Sequence, residues 1–160
     1  MEIHTLEPIL KTNPFFKDME EPLIEQLVGC ATNLRFDEGQ YLFREGEPAD
    51  RFFIIRQGTV SLKLATPQKE EILIERLREG ELLGWSWYFS PNFWKFDAYA
   101  ETLTRVISMD GECIRAKCDE IPKLGYELMK RFAHVVVERL QYTRMQLIES
   151  RKNGGQAKGQ

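Results

Sequence analysis

The sequence has few of the residues that hold metals or build disulfide frameworks. Only three of its 160 residues are cysteine and two are histidine. Neither His4 nor His134 has a histidine or cysteine close by in the sequence, so the clustered ligands of a metalloenzyme are missing. Cys30, Cys113 and Cys118 are odd in number and form no C-x-x-C pair. This usage favours free thiols in a reducing cytoplasm.

Long apolar runs, a leader and an excess of positive charge are also missing. No run approaches the ~18 consecutive apolar residues of a membrane span. The first five residues lack the basic and apolar regions of a signal peptide. The formal net charge is -3, which suits non-specific nucleic-acid binding poorly. The sequence therefore predicts a cytoplasmic protein that contacts neither a membrane nor DNA.

Recognisable catalytic motifs are absent as well. The sequence contains no G-x-S-x-G nucleophile elbow and no P-loop, and Ser86 has no nearby histidine. These absences indicate that the protein is not an enzyme. A length of 160 residues with 42% hydrophobic residues is typical of one globular domain.

What the sequence does contain is a dense group of aromatic residues. All three tryptophans, Trp85, Trp87 and Trp94, fall within ten residues of one another, although aromatics are only 11% of the chain. The hydrophobic pattern around this group is that of a mainly β domain with flanking helices. Residues 1–31 have helical periodicity, and short β-rich runs separated by Gly turns follow, at 41–43, 51–56, 59–64, 71–77 and 104–109. Evenly spaced short strands predict a sandwich or jelly roll.

The helical period returns after Cys113 and predicts a helix of roughly 25 residues. Asp119 and Pro122 suit its first turn, so we expect one domain over 1–150 with a dimerisation helix at about 119–150. A disordered tail is predicted at 151–160. Leu124, Leu128 and Phe132 form one apolar stripe, suited to packing on the domain. A second stripe has coiled-coil spacing and predicts a homodimer interface, formed by Val136, Leu140, Thr143 and Leu147. The alternative is a single helix that wraps over its own domain.

The glycine spacing and strand patterns resemble the cyclic nucleotide-binding domain family, in its catabolite-activator and anaerobic-regulator branch. Gly39, Gly46 and Gly58 punctuate the opening hairpins, and the segments Leu82-Leu83-Gly84 and Ala98-x-Ala100-x-Thr102 are also similar to that family. The resemblance covers roughly residues 13–148. It implies a double-stranded β-helix (jelly roll) of eight strands between N-terminal helices and a long C-terminal helix. It also implies a ligand, either a cyclic nucleotide or another planar anionic small molecule.

The resemblance fails at the loop that binds the cyclic phosphate in nucleotide-binding members. There a Glu accepts a hydrogen bond from the ribose and an Arg binds the phosphate oxygens. Trp85 stands at the Glu position and Trp94 at the Arg position, and Lys95 is the only cation from Glu79 to Thr104. The resemblance thus implies a degenerate phosphate-binding loop.

Ten residues are candidates for binding a ligand in this altered site. Backbone N–H groups, one hydroxyl, one ammonium and several stacking rings are the groups they offer. The candidates are Gly84, Trp85, Ser86, Trp87, Trp94, Lys95, Phe96 and Tyr99 in the loop, with Thr143 and Arg144 on the long helix. Two alternatives remain open for the aromatic cluster, a core that fills the old pocket and a surface that docks a protein partner.

The sequence therefore predicts a stand-alone sensory or regulatory domain that signals by binding a small molecule. Activators of this superfamily carry a helix-turn-helix domain after the long helix, whereas about ten polar residues follow Ser150 here. The alternative function is a ligand-free dimeric adaptor that binds a protein partner through the aromatic patch.

Overall fold

Two helices open the chain in the computed structural model, which describes residues 2–88 and 92–158. Helix α1 runs over Glu2–Thr12 and α2 over Glu21–Val28, with a 3-10 turn at Pro14–Phe16 between them. Pro22 lies in the first turn of α2, where its missing N–H leaves no helical hydrogen bond unmade. The apolar residues of α2 are buried, as their spacing predicts: Leu23, Ile24, Leu27 and Val28.

Eight strands follow and form two four-stranded antiparallel sheets. One sheet has the order β1-β8-β3-β6 and the other β2-β7-β4-β5. The strands are β1 Ala31–Phe36, β2 Tyr41–Phe43, β3 Arg51–Gln57, β4 Val60–Ala65, β5 Glu71–Leu77, β6 Leu82–Leu83, β7 Asp97–Ala100 and β8 Thr104–Asp110. This arrangement confirms the predicted jelly roll. The hydrophobic pattern alone misses β1, β6 and β7, because two of them are very short and β1 has no buried residue.

The turn between β3 and β4 depends on Gly58. Its φ is +98°, and a Cβ at this position would lie 2.5 Å from the backbone oxygen of Leu103. Any side chain would therefore meet both strain and a steric clash. The glycine lets the turn between β3 and β4 lie against the chain that leads into β8.

The prediction of three free thiols is wrong for two of them. Cys30 and Cys113 form a disulfide with their Cα atoms 5.7 Å apart. Strand pairing brings them together, because Ala31 lies opposite Met109 and the Asp110 N–H donates to the Cys30 oxygen at 3.0 Å. The two cysteines are 83 residues apart in the sequence, so their spacing gives no sign of this register. Cys118 is free and half-buried, and burial, followed by the charge of Asp119, raises the pKa of its thiol.

Two helices, not one, follow β8. Helix α3 covers Gly111–Glu120, capped by the Asp110 carboxylate, which accepts from the Cys113 N–H at 2.9 Å. Helix α4 covers Pro122–Lys158 and is 37 residues long. The predicted length of about 25 residues is therefore too short. Leu124, Leu128 and Phe132 are buried, as expected for the first apolar stripe.

The predicted disordered tail is replaced by helix over residues 151–158, while 159 and 160 lie outside the described residues. Extending an existing helix adds a hydrogen bond for each residue ordered, and no proline interrupts this stretch. Gly154 and Gly155 weaken the helix without ending it. The chain divides into two compact units, Met1–Gly125 and Tyr126–Gln160. Within the described ranges, every helix is too short or too polar to span a lipid bilayer.

Candidate functional site

The predicted phosphate-binding loop lies between β6 and β7. Gly84 follows β6 with a φ of +93°, a conformation that residues with side chains rarely adopt. A short 3-10 turn, Trp85–Tyr88, comes next, and residues 89–91 lie outside the described part of the chain. The loop thus keeps a glycine-dependent bend at the place where the family resemblance puts it.

Trp94 fills the space beside that bend. Its side chain is 4% exposed, and its ring stacks on Phe43 with centroids 3.8 Å apart and planes 10° apart. A Cβ on Gly84 would lie 2.8 Å from ring carbons Cζ3 and Cη2 of Trp94. The backbone is fixed too, since the Trp94 N–H donates to the Glu47 oxygen at 3.0 Å and the Gly46 N–H donates to the Trp94 oxygen at 2.9 Å. Trp94 is a packed residue at the position where the resemblance places a phosphate-binding Arg.

Trp87 is buried in a different place. It is fully inaccessible and stacks on Phe52 of β3 at a centroid distance of 5.5 Å. A Cβ on Gly111 would lie 2.9 Å from its ring, so the start of α3 packs directly against it. Its backbone oxygen accepts from Asn92 Nδ2 at 2.5 Å and from the Arg115 guanidinium. These bonds tie the 3-10 turn to α3.

The remaining loop candidates differ in exposure. Ser86 is 4% exposed, and its backbone oxygen accepts from Asn92 Nδ2 at 3.4 Å. Trp85 is half-buried and Lys95 is exposed. Phe96 is half-buried, with its ring centroid 6.3 Å from that of Phe43. Lys95, the only cation of this segment, is therefore solvated.

Tyr99 does not join the tryptophans. Ala98 and Ala100 of β7 are fully buried, so Tyr99 between them points to the opposite face of the sheet. There its ring lies 5.2 Å from the Tyr41 ring, and Lys63 Nζ lies 4.1 Å from its centroid. Thr143 and Arg144, the candidates on the long helix, are exposed on α4 in the second unit. The structure thus brings Gly84, Trp94 and Phe96 together and separates Tyr99 from them.

Sequence reasoning missed the polar groups that anchor both ends of β7. Asp97 is 8% exposed and accepts from the Glu45 N–H at 2.7 Å, with Arg44 Nε at 3.4 Å. Beyond the other end, Glu101 accepts from the buried Ser61 hydroxyl and from Arg76 Nε at 2.8 Å. The Ser61 hydrogen bond, aided by Arg76, holds the pKa of the Glu101 carboxyl below its usual value. No short sequence motif links these residues, because their contacts span 25 to 53 positions.

A cleft of about 400 Å³ was also missed, and it lies against Trp94. Its lining combines apolar side chains from β1, β2 and β3 with the Trp94 ring and with charged side chains from the loop between β2 and β3 and from the start of β3. The lining residues are Leu34, Phe36, Leu42, Phe43, Glu47, Pro48, Asp50, Arg51, Phe53 and Trp94. Of the ten ligand-binding candidates, Trp94 alone is in this set.

Comparison with known proteins gives the same fold. The family described as "Cyclic nucleotide-binding domain" matches residues 33–120, which is more than half of the chain. A CRP-like cAMP-activated global transcriptional regulator of Mycobacterium tuberculosis is 27% identical over 144 residues, covering 90% of this chain and 62% of the regulator. The chain thus spans less than two thirds of that relative.

Solved structures agree with this match. A cyclic nucleotide-binding domain from Methylobacillus flagellatus has a TM-score of 0.78 at 17% identity, covering 92% of this chain and 83% of that one. The regulatory subunit of a cAMP-independent protein kinase A from Trypanosoma cruzi, bound to guanosine, has a TM-score of 0.64 at 20% identity. That similarity covers 78% of this chain and 48% of the kinase subunit. At these identities the two structures show a shared fold.

Proposed function

Because this chain belongs to the cyclic nucleotide-binding domain family, we propose that it is a regulatory domain that senses a small molecule without the family's usual phosphate contacts. The observation that carries the proposal is the burial of Trp94, stacked on Phe43, at the position of the phosphate-binding Arg. An indole neither accepts a hydrogen bond nor neutralises a phosphate. The proposed domain thus has the family fold without the Glu and Arg that bind ribose and phosphate in nucleotide-binding members.

The altered loop favours the ring of a ligand over its phosphate. A charge-assisted hydrogen bond contributes about 1.5–3 kcal/mol, which is about tenfold to over a hundredfold in affinity. Lys95, exposed and singly charged, replaces the fixed fork of an arginine poorly. The half-buried Trp85 and Phe96 offer aromatic surface on which a planar ring can stack. The guanosine-bound kinase subunit supports this view, since guanosine carries no phosphate.

We further propose that the signal passes to a protein partner through a homodimer. Leu140 and Leu147, 47% and 51% exposed, lie with Thr143 on the continuous helix α4, at the spacing of a coiled-coil seam. Ligand binding would shift the population of helix arrangements that the partner recognises. This role is regulatory rather than catalytic.

The burial of two tryptophans removes them from any surface that a protein partner could contact. Trp87 and Trp94 are 0% and 4% exposed, so a ligand-free adaptor would have to use the more exposed aromatic residues of the segment, such as Phe93 at 47%. The disulfide bears on the predicted cytoplasmic location of the protein. Two of the three thiols that suggested a reducing cytoplasm are bonded to each other, so a cytoplasmic location stays a proposal without support from cysteine usage.

Calorimetric titration of the chain with adenosine, guanosine, cAMP and cGMP tests the proposed function. We expect a nucleoside and its cyclic nucleotide to bind with dissociation constants within about tenfold of each other, because the phosphate gains no arginine contact. A cyclic nucleotide that binds more than a hundredfold tighter would contradict the proposal. So would the absence of binding by all four ligands.

Two variants locate the site. Trp85→Ala should weaken nucleoside binding, since base–aromatic stacking is worth about 1–3 kcal/mol. Tyr126→Ala is the matched control, because Tyr126 is an aromatic residue of α4 that is 66% exposed and outside the loop. Equal dissociation constants for the two variants would show that the nucleoside binds outside the loop.

A further inference from the structure

The cleft beside Trp94 has the composition of a small-molecule site. Its volume of about 400 Å³ falls in the range of roughly 300–1,000 Å³ that holds small ligands. Three of its aromatic residues, Phe43, Phe53 and Trp94, are buried and form a rigid inner wall. Phe43 stacks on Trp94 at 3.8 Å and lies 6.2 Å from Phe53, so the wall is continuous. Half-buried Leu34 and Leu42 complete the apolar surface.

The charged residues of the lining are unequal in sign. Glu47 and Asp50 contribute two carboxylates against the single guanidinium of Arg51. Arg51 Nε lies 3.0 Å from Asp50 Oδ1, so these two charges offset each other. Glu47 therefore leaves the lining with a net negative charge.

The Glu47 carboxylate is held in place close to the aromatic wall. Its Oε1 accepts from the Arg44 N–H at 2.6 Å, and its backbone oxygen accepts from the Trp94 N–H at 3.0 Å. A carboxylate has about four lone-pair sites, so the bond to Arg44 leaves acceptor capacity for a ligand. A cationic group that binds Glu47 would therefore belong to a ligand in the same cleft as the aromatic wall.

We propose that this cleft binds a small aromatic molecule that carries an ammonium group. The ring of the ligand packs on the wall of Phe43, Phe53 and Trp94, and its ammonium group donates to Glu47. An anionic ligand of the same shape is disfavoured, because it would meet the excess carboxylate. The inference stands apart from the proposed function, since the cleft and the loop candidates share Trp94 alone.

Titration with three indoles of equal shape tests the charge preference. The probes are tryptamine, which is cationic, tryptophol, which is neutral, and indole-3-acetate, which is anionic. We expect tryptamine to bind saturably at one site per chain and with the lowest dissociation constant, and indole-3-acetate to bind weakest. Equal affinities, or no saturable binding of tryptamine at millimolar concentration, would overturn the proposal.

Variants test the position of the ligand. Leu42→Trp should fill the cleft and abolish tryptamine binding, whereas Leu64→Trp, the same change on an exposed residue of β4, should leave it intact. Glu47→Gln, at an exposed position that tolerates the change, should weaken tryptamine by up to about fivefold and leave tryptophol unchanged. Unchanged tryptamine binding in Glu47→Gln would contradict the role of Glu47, even if Leu42→Trp failed to fold. Displacement of tryptamine by adenosine would place it in the loop and also refute the proposal.

Discussion

The loop after β6 and the second half of α4 are both rich in apolar residues, but they place these residues in opposite environments. In the loop, Trp87 and Trp94 are 0% and 4% exposed. On α4, five large apolar residues beyond Phe132 are about half exposed: Val137, Leu140, Met145, Leu147 and Ile148. The loop buries these two tryptophans within its own unit, whereas the helix leaves its five apolar residues in contact with water.

This difference separates two uses of hydrophobic surface. Buried aromatic rings contribute to the stability of the fold, and their removal is felt throughout the core. An exposed apolar stripe on a helix contributes little to the monomer and is typical of an association surface. The two regions should therefore respond to substitution in different assays.

We expect the largest loss of stability from a substitution in the loop. Trp94→Ala removes a buried ring that stacks on Phe43, and we expect the free energy of unfolding to fall by about 3–5 kcal/mol. Urea unfolding followed by circular dichroism measures this loss. The matched control is Trp85→Ala, which should cost less because Trp85 is half-buried. Equal losses would mean that burial does not separate these two tryptophans.

The disulfide should also contribute to the stability of the first unit, which contains the loop. We expect the double variant Cys30→Ser, Cys113→Ser to lose about 2–4 kcal/mol, because the bond restricts the unfolded chain across 83 residues. Urea unfolding with and without a reducing agent measures the effect. Reduction should destabilise the wild-type chain and leave the variant unchanged. Cys118→Ser, which changes a free thiol, is the control, and a reductant effect that persists in the double variant would contradict the assignment.

A polar contact of the first unit should give a smaller, pH-dependent effect. The pKa of Glu101 is lowered in the folded chain, chiefly by the Ser61 hydrogen bond and also by Arg76. A lowered pKa contributes stability above the unfolded pKa of about 4.3, and this contribution is lost as the pH falls through the folded value. Glu101→Gln should therefore cost about 1 kcal/mol at pH 7 and progressively less below pH ~4. Denaturant unfolding of both proteins across pH measures the difference in their free energies of unfolding. A difference that grows as the pH falls would contradict the lowered pKa of Glu101.

The exposed stripe of α4 should have the smallest effect on unfolding of the monomer and a clear effect on assembly. Leu140→Lys with Leu147→Lys should change monomer stability by no more than about 0.5 kcal/mol. We expect light scattering at micromolar concentration to give a dimer for the wild-type chain and a monomer for this variant. The control is Tyr142→Lys, because Tyr142 is 45% exposed and lies two residues, roughly 200° around the helix, from Leu140. A monomeric wild-type chain would refute the homodimer.

The hydrophobic pattern was enough to predict the strands that form distinct apolar runs in the sequence. Strands β3, β4, β5 and β8 are runs of apolar and β-branched residues bounded by turns, so they were predictable with small errors at their ends. The short β6 and β7 depended on a family resemblance, because two to four residues do not establish a period. The length of α4 was underestimated because polar residues and two glycines look like a tail, although an established helix extends through them at low cost.

The family resemblance predicts that Trp94 stands at a phosphate-binding position, and this stays a prediction. It does not predict that the Trp94 ring stacks on Phe43 of a distant strand. The sequence also groups Tyr99 with the tryptophans, whereas the alternation of β7 turns Tyr99 to the other face. The cleft went unnoticed because Trp94 reaches it from 41 positions beyond Phe53, the last of the other lining residues.

The sequence by itself determined the family and the presence of a jelly roll between N-terminal and C-terminal helices. Each of these depends on residue identity and local spacing, which are visible along the chain. Only the tertiary structure decided which aromatic residues are core, which cysteines are bonded and where a cleft remains. Those outcomes depend on sheet register and side-chain packing between residues far apart in the sequence, which local periodicity does not encode.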